Sequence, residues 1–430
     1  MKNPTVSIVV PTLNDCNKLE ELLLCLKNQS YLPSEIIIVD SSSNELIYDL
    51  VQNIDLPFSV SYFRIGKAFK LDRLYYFFFK MFKQELLFFK LFGKPRAYPY
   101  EATNFGVSKS SNQIVPFLDT TTLPIDSWLE NHINFFNQGY EVVFGFTRYH
   151  STSFKQELIH FSCWGHSNIE TMPGTIIETK NYLNGLLINE GVRAGGDIDW
   201  RHRAKERHSY YLPKYFSVSY KSIPDSIFSS IKKSFIYQIH SAISDIQSNV
   251  RSAYFLIILL FSFLLVPKWN ALVGWESSPL FIPHITKIYL ITFLVFCLMI
   301  FILNQKKIKS IFNKKGLSRT LLIVLIGISF AVVYNWNGLI AQWVEDSVWF
   351  VPNITKIYLL LLLSISFLYR ALIVPLRSGV SPKDIFPIKF VAIGAVGLLL
   401  DLAKTPGYVM GAIYTFLKNL KNHFSFSSKG

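Results

Sequence analysis

Three aspartates stand where strands of this chain would end: Asp40 after EIIIV, Asp119 after IVPFL, and Asp197 in RAGGDIDW. In an open α/β sheet, ligands bind in the crevice outside the carboxyl ends of the strands. A carboxylate placed there has two chemical uses. It can anchor a hard divalent cation through its oxygens, or it can take a proton from a reacting hydroxyl. Any one of the three alone is as readily a cap or turn residue. Three in this order are harder to dismiss.

The elements that must carry them can be read from the same stretch. From Val6 to about residue 235, strand-like apolar runs (Val6 to Val10, Glu35 to Asp40, Ile114 to Leu118, Glu141 to Phe146) alternate with helix-like segments such as Lys18 to Asn28. That alternation predicts an α/β fold with a mostly parallel sheet. The opening MKNPTVSIVVPTLND holds a short apolar run broken by Pro11 and Asn14, which reads as a buried strand and not as a cleaved leader. At 430 residues the chain exceeds one ordinary core, so a second region is expected. Its hydrophobic share of 50% and charged share of 17% exclude both a disordered chain and an ordinary soluble composition. Cys16, Cys25, Cys163 and Cys297 lie far apart with no CxxC spacing. They read as thiols of a reducing compartment and build no structural zinc site.

The second region begins past Arg251. Ala253 to Val266, Ile288 to Leu303, Thr320 to Val344 and Ile357 to Tyr369 carry no charge. The pattern RSAYFLIILL…VPKWNALVGWE…FIPHITKIYL returns as RTLLIVLIGI…VYNWNGLIAQWVE…FVPNITKIYL from Arg319. A duplicated helical hairpin follows, giving four membrane spans over residues 251–376. Asn304 to Arg319 between the hairpins is basic without an acid, whereas Glu276, Glu345 and Asp346 mark the hairpin tips. The positive-inside rule then puts residues 1–235 in the cytoplasm and the chain in the cytoplasmic membrane as a multi-pass protein. Residues 384–423 read as amphipathic, lying in the membrane surface in preference to a fifth span. Residues 67–96, dense in aromatic and basic side chains, read as an amphipathic insertion facing membrane or acceptor, with packing on the sheet as the alternative. The net charge of +14 gathers at membrane boundaries and not in one aromatic-interleaved groove, so no nucleic-acid partner is expected.

Taken in order, VSIVVPTLND, EIIIVDSSSNE, ATNFGVSKSSNQIVPFLDTTTLPIDSWLE and RAGGDIDWRHRA resemble the successive motifs of the family 2 glycosyltransferases, over roughly residues 5 to 210. The resemblance implies a GT-A fold and an inverting transfer from a nucleotide sugar. It implies that Pro11, Thr12 and Asn14 line the nucleotide base, and that Asp40 reads uracil or ribose. Asp119 matches the first aspartate of the DxD motif, which holds the donor diphosphate with Mg²⁺ or Mn²⁺. Asp197 matches the general base of a Glu-Asp pair. Asn104 falls in the ATNFG motif on the donor side, and Arg201 and Arg203 are placed to neutralise diphosphate charge or else form a solvated helix face. Trp164 and Trp200 are acceptor-side candidates, Trp200 being equally a core residue. His166, His202 and His208 lie near these motifs without a ligand spacing.

Two positions depart from the pattern: the second DxD carboxylate is Thr121, and the Glu of the pair is Gly196. A single carboxylate still suits Mg²⁺, which keeps several waters and is completed by substrate phosphates. Four spans point to a membrane-associated acceptor, whether a polyprenyl-phosphate, a lipid-linked glycan or a polysaccharide. The departures motivate a competing reading, a catalytically silent scaffold that binds nucleotide sugar or partner proteins at the membrane. A transporter is disfavoured, because the spans hold no ionisable residue at mid-depth.

Overall fold

The computed structural model describes residues 4–66, 95–243, 277–283 and 363–427, with isolated positions elsewhere. Most of the aromatic and basic segment 67–96 and most of the four expected spans lie outside the described residues. Contacts divide the chain into two units, Met1–Ile246 with Phe367–Gly430, and Gln247–Ser366. Nearly all of the described residues belong to the first unit.

Strand β1 (Ser7–Thr12) is covered on both faces, and so is β2 (Glu35–Asp40). Their near-continuous β-branched sequences, SIVVPT and EIIIVD, are what a doubly covered parallel strand requires. They pair in parallel, Ser7 opposite Glu35 through Thr12 opposite Asp40, and β3 (Ser59–Arg64) adds to β2 in the same sense. Helix α1 (Cys16–Lys27) makes the first crossover and buries Leu19, Leu22, Leu23 and Leu26, the i, i+3, i+4, i+7 stripe of an amphipathic helix. Helix α2 (Leu46–Asn53) makes the second.

The period of two along β1 divides its side chains between two cores. Ile8 and Val10 face α1 and Trp128, whereas Val9 joins Phe117, Phe144 and Trp200. Helix α3 (Pro99–Lys109) lies on the Val9 side. Gly106 lets it approach closely, since a Cβ there would stand 2.5 Å from Val9 Cγ1. Strand β4 (Ile114–Pro116) meets β1 through the parallel bridges Val6 to Ile114 and Val9 to Phe117. Beyond it the sheet turns largely antiparallel. Strand β5 (Thr122–Pro124) follows β4 directly, then helix α4 (Trp128–Asn137) leads to β6 (Val142–Tyr149), and helix α5 (Phe154–Cys163) to β7 (Ile169–Glu178). β7 sits between β4 and β6. Helices α6 (Thr179–Leu183) and α7 (Gly196–Arg207), strands β8 (Tyr210–Tyr211) and β9 (Val218–Tyr220), and helix α8 (Ile227–Ile243) complete the first stretch.

The C-terminal segment returns to this domain. A π-helical turn at Tyr369–Ile373 leads through α9 (Val374–Arg377) and α10 (Pro382–Ile385) to the long helix α11 (Lys389–Ser427). Val380, Ile385, Ile393, Val396 and Leu400 bury against Leu158, Ile159, Phe161 and Ile223. Arg370 grips Asp401 with two nitrogens at 2.8 and 2.6 Å and donates to the Ser162 carbonyl at 3.1 Å. Lys389 reaches Glu157 of α5 at 2.9 Å. Gly407 and Gly411, one turn apart, press against the Phe235 and Ile239 carbonyls of α8, a backbone approach that any side chain would block. Among the described residues Lys389–Tyr408 is the one stretch long and apolar enough to cross a membrane, with 39% of it buried in the protein.

Candidate active site

The C-terminal ends of β1, β2 and β4 open onto a crevice. In the turn after β1, Asn14 adopts φ +55°, a left-handed conformation that asparagine tolerates better than most residues. Its side-chain oxygen accepts from the Ser43 backbone N–H at 2.9 Å and the Ser43 hydroxyl at 3.0 Å, and its own N–H donates to Ser42 Oγ at 2.7 Å. Pro11 is half-buried and Thr12 buried. Asp40 is fully buried. One carboxylate oxygen accepts from Thr12 Oγ1 at 3.0 Å and from the Ser42 N–H at 2.9 Å, and the other from the Tyr62 hydroxyl at 2.8 Å. Burial first, and then the Asp40 carboxylate, push the Tyr62 phenol well above its usual range. Asp40 thus ties the ends of β1, β2 and β3 together and shapes the crevice wall from within.

Asp119 follows β4 in a tight turn. Its N–H donates to Thr122 Oγ1 at 3.0 Å, and its carbonyl accepts the Thr122 N–H at 3.0 Å. The residue as a whole is exposed, although protein atoms surround the carboxylate closely enough to shift its titration. Burial pushes its pKa up to about 6, the negative charge of Asp197 adds to the rise, and Lys233 opposes it. The two aspartates, far apart in sequence, are therefore close in space. Thr121 hydrogen-bonds with Tyr220.

Asp197 is held from three sides. It lies in the first turn of α7, where the helix dipole favours an anion, and the turn before it needs Gly195 at φ +88°. Tyr100 donates its hydroxyl to Asp197 Oδ1 at 2.9 Å. Arg201 stands 3.9 Å from Oδ2 and pairs more closely with Glu170 at 3.0 Å. Gly196 is a packing requirement of this arrangement: a Cβ there would stand 2.7 and 2.8 Å from the Tyr100 ring. Where the motif puts a glutamate, this chain has a cleft filled by a phenol that bonds the neighbouring carboxylate.

The other expected residues divide between support and surface. Asn104 is buried and holds the loop ahead of α7, donating to the Ile188 carbonyl at 2.8 Å and accepting from the Tyr182 hydroxyl at 2.6 Å. Arg203 turns to Asp199 at 2.8 Å and to the Leu187 carbonyl at 2.9 Å. Trp200 is completely buried in the core beside Phe117 and Phe144, so it supports the site from beneath and does not line it. Trp164 stacks flat on Tyr149, centroids 4.2 Å apart. His202 is exposed, and His208 pairs with Glu141 at 3.1 Å. Among the described residues, no three His, Cys, Asp or Glu side chains form a group that would hold a metal unaided.

Sequence reasoning missed Tyr100, Tyr149, Tyr220 and Lys233. Lys233 comes from α8, reaches the Tyr220 hydroxyl at 3.1 Å and lies over the Tyr220 and Tyr237 rings. No spacing marked it, because the fold and not the local sequence brings α8 to the crevice. The arrangement sets Lys233 against Asp119 and Arg201 beside Asp197. Asp119 would hold a hard divalent cation through its carboxylate, with substrate and water supplying the remaining ligands.

Comparison with known proteins agrees with this geometry. Residues 7–89 match the family Glycosyl transferase family 2. A GalNAc(5)-diNAcBac-PP-undecaprenol beta-1,3-glucosyltransferase of Campylobacter jejuni is 28% identical over 142 residues, 33% of this chain and 38% of that protein. An uncharacterized glycosyltransferase of Haemophilus influenzae is 28% identical over 145 residues, 33% of this chain and 46% of that one. The chain thus spans less than half the length of either relative. Among solved structures, S. aureus TarS 1-349 in complex with UDP-GlcNAc superposes with a TM-score of 0.37 at 13% identity, covering 56% of this chain and 66% of that one. The mannosyltransferase PcManGT from Pyrobaculum calidifontis, in complex with GDP-Man and Mn²⁺, gives 0.37 at 16% identity, covering 58% and 66%. The first α/β stretch of the chain is thus similar in sequence to family 2 glycosyltransferases over residues 7–89.

Proposed function

We propose that the protein is a membrane-associated, inverting glycosyltransferase of family 2 that moves a sugar from a nucleotide sugar to a lipid-linked or other membrane-held acceptor. The observation that carries the reading is the proximity of Asp119 and Asp197, close enough for one carboxylate to raise the other's pKa. A divalent cation bound at Asp119 would supply charge neutralisation for the departing diphosphate. Lys233, on the same side, adds a second positive charge there. Asp197 is the general base. Its Oδ1 is engaged by Tyr100, which leaves Oδ2 to take the acceptor hydroxyl proton as the sugar's anomeric carbon is attacked from the face opposite the leaving group. Asp40, Thr12 and Asn14 shape the nucleotide end of the crevice.

Membrane attachment is supported by the uncharged repeats of the sequence and by the C-terminal segment. Leu368, Tyr369, Ile373, Leu376, Phe386 and Ile388 expose large apolar side chains, and an apolar face of that extent marks an interaction surface. The Campylobacter relative's name, with its undecaprenol-linked glycan, favours a lipid-linked acceptor over a soluble one. A cytoplasmic catalytic domain on a multi-pass chain follows from the basic loop at Asn304 to Arg319. The test is nucleotide release by membranes containing the protein, given UDP-, GDP- and dTDP-sugars, Mg²⁺ or Mn²⁺ and lipid extract. Release that requires the cation and is lost in Asp197→Asn is expected. Donor binding without release in the wild type would overturn the transferase reading in favour of a silent scaffold.

A further inference from the structure

Strand β6 runs past the crevice and ends in a second concavity. Arg148, Tyr149, His150 and Ser151, with His160 of α5 and His166 just after it, enclose a cavity of about 410 Å³. Its electrostatics are one-sided. Arg148 uses its Nε on Asn168 at 2.9 Å and lays its guanidinium over the Phe216 ring at 4.3 Å. Among the described residues no carboxylate pairs with it. The His150 imidazole is held below its usual pKa first by burial, then by the positive charges of Arg148, Lys221 and His166. Burial likewise pushes His160 down to about 4; the Gly165 carbonyl and Glu157 oppose the shift, and His166 and His150 add to it. Glu157 is itself neutralised by Lys389. His150 Nε2 and His160 Nε2 are buried with no hydrogen-bond partner, a cost that a bound polar group would remove.

These features select the ligand. A guanidinium without a carboxylate partner and imidazole nitrogens without partners favour an anion rich in oxygen. A guanidinium fork matches phosphate geometry. The neighbouring arginine disfavours a metal ion by like-charge repulsion. The volume falls within the range of about 300–1,000 Å³ usual for small-ligand pockets and holds more than an isolated ion.

Position narrows the source. Tyr149 is the shared wall: burial dominates the rise of its phenol, and the charges of Asp197 and Asp119 both contribute, so it stands between this cavity and the crevice. Trp164, stacked on Tyr149, extends the wall as a flat aromatic surface of the kind on which a sugar ring packs. On the other side the His166 N–H donates to the Ser378 carbonyl at 2.9 Å, and Gly165 packs against Ser378. Ser378 immediately follows α9, within the segment whose Ile373, Leu376 and Phe386 are exposed. The cavity therefore lies between the proposed base and the proposed membrane-facing face.

We propose that this cavity binds the phosphate group of a lipid-linked acceptor, with Arg148 as the charged contact at its wall and His166 at its mouth. The inference rests on the transferase reading and adds to it where the acceptor is gripped. The experiment uses the full chain in detergent micelles with saturating UDP and Mn²⁺, so that the donor crevice is filled. Histidine modification by diethylpyrocarbonate is mapped by mass spectrometry against three additions: inorganic pyrophosphate, phosphatidylcholine vesicles with 10% polyprenyl diphosphate, and the same vesicles with 10% phosphatidic acid. Pyrophosphate should protect His150 and His166 while leaving exposed His202 reactive. Half-protection should require at least about tenfold more pyrophosphate in Arg148→Gln and in His166→Gln, the second variant serving should loss of the Asn168 and Phe216 contacts unfold the first; unfolding midpoints identify which variants to read. Polyprenyl diphosphate vesicles should protect at lower phosphate concentration than phosphatidic acid vesicles. Equal protection by both vesicles would mean a bilayer headgroup site, and protection by pyrophosphate alone a free-phosphate site; either overturns the acceptor assignment. No protection, or protection unchanged in the folded variants, overturns the site itself. Failure of UDP to bind the wild type would instead sink the transferase reading, a separate result.

Discussion

Tyr100→Phe removes one hydroxyl, the one that donates to Asp197 Oδ1 at 2.9 Å. With Asp197 as the base, that bond fixes which oxygen faces the acceptor, because the terminal torsion of an aspartate is otherwise broad. A hydrogen bond to a charged group contributes about 1.5–3 kcal/mol, which bounds the loss of correctly oriented carboxylate. The expected fall in kcat is about 10- to 100-fold. Tyr100 acts only on the base, so the donor KM should stay within about twofold of wild type. Gly196→Ala reaches the same bond from the other side. Its methyl group would stand 2.7 Å from a ring carbon, where carbon contacts are ordinarily about 3.5–4.0 Å. The ring must withdraw by about 1 Å, enough to carry the hydroxyl beyond the roughly 3.5 Å limit of a hydrogen bond. The two substitutions should therefore be strongly non-additive, with Gly196→Ala costing little further in the Tyr100→Phe background. Initial rates of nucleotide release, with donor varied at fixed acceptor, measure all four proteins. Wild-type kcat in Tyr100→Phe, or full additivity in the double variant, would refute the reasoning.

Asp119 gives a pH prediction with a definite sign. Its folded pKa of about 6 lies above the ordinary carboxylate range, so folding favours the protonated form. The stability it contributes is complete below about pH 4 and is lost as pH rises through about 6. Asp119→Asn should raise Tm at pH 7.5 and leave it unchanged at pH 4, and Mn²⁺-dependent donor binding by the wild type should fall below pH 6; an unchanged or lower Tm for the variant at pH 7.5 contradicts this. Lys233 opposes the rise in Asp119, so Lys233→Met should move the pH midpoint of donor binding upward and raise the donor KM by about tenfold, the size of a lost charge contact of about 1.4 kcal/mol; titration of UDP at several pH values decides it. Asp40→Ala strips the acceptors from Thr12, Ser42 and Tyr62, and at about 1–3 kcal/mol per buried group left unsatisfied it should cost at least about 3 kcal/mol in urea unfolding. A loss below about 1 kcal/mol would mean that water replaces the carboxylate and that the crevice wall is softer than its hydrogen bonds indicate.

What the sequence disclosed and what it withheld divide along a physical line. The runs SIVVPT and EIIIVD were legible as parallel strands because both faces of each are covered, which demands apolar residues at nearly every position. The leucine stripe of α1 was legible for the complementary reason, one buried face at helical spacing. Asp119 and Asp197 took their roles from the family resemblance alone, and the structure adds that their charges interact. Gly196 read as a missing carboxylate. It is the space for Tyr100, and nothing in the local sequence pairs residue 196 with residue 100. Trp200 illustrates the same limit from the other side, since a tryptophan beside the base suits a sugar platform or a core equally, and only the packing against Phe117 and Phe144 decides for the core. Lys233 lies on a helix whose own sequence reads as an ordinary basic amphipathic segment.

The return of the C-terminal segment has a mechanical consequence if the protein is the membrane-associated transferase we propose. Helix α8 presents Lys233 to the crevice and packs α11 along its length through Gly407 and Gly411, where backbone meets backbone. Glycine contacts of this kind tolerate no side chain, so the spacing of the two helices is set by hard sterics and not by adaptable side chains. Arg370, bound to both Asp401 and the Ser162 carbonyl, fastens α11 to α5, and α5 supplies His160 to the phosphate cavity. The segment proposed to face lipid is thus joined by rigid contacts to the helix holding the catalytic-side cation and to the helix flanking the acceptor cavity. An enzyme whose acceptor cannot leave the membrane gains from this, because the geometry between bilayer and base is fixed before the acceptor arrives. Loosening it, for example with Gly411→Leu, should therefore reduce transfer to a vesicle-held acceptor more than it reduces binding of UDP.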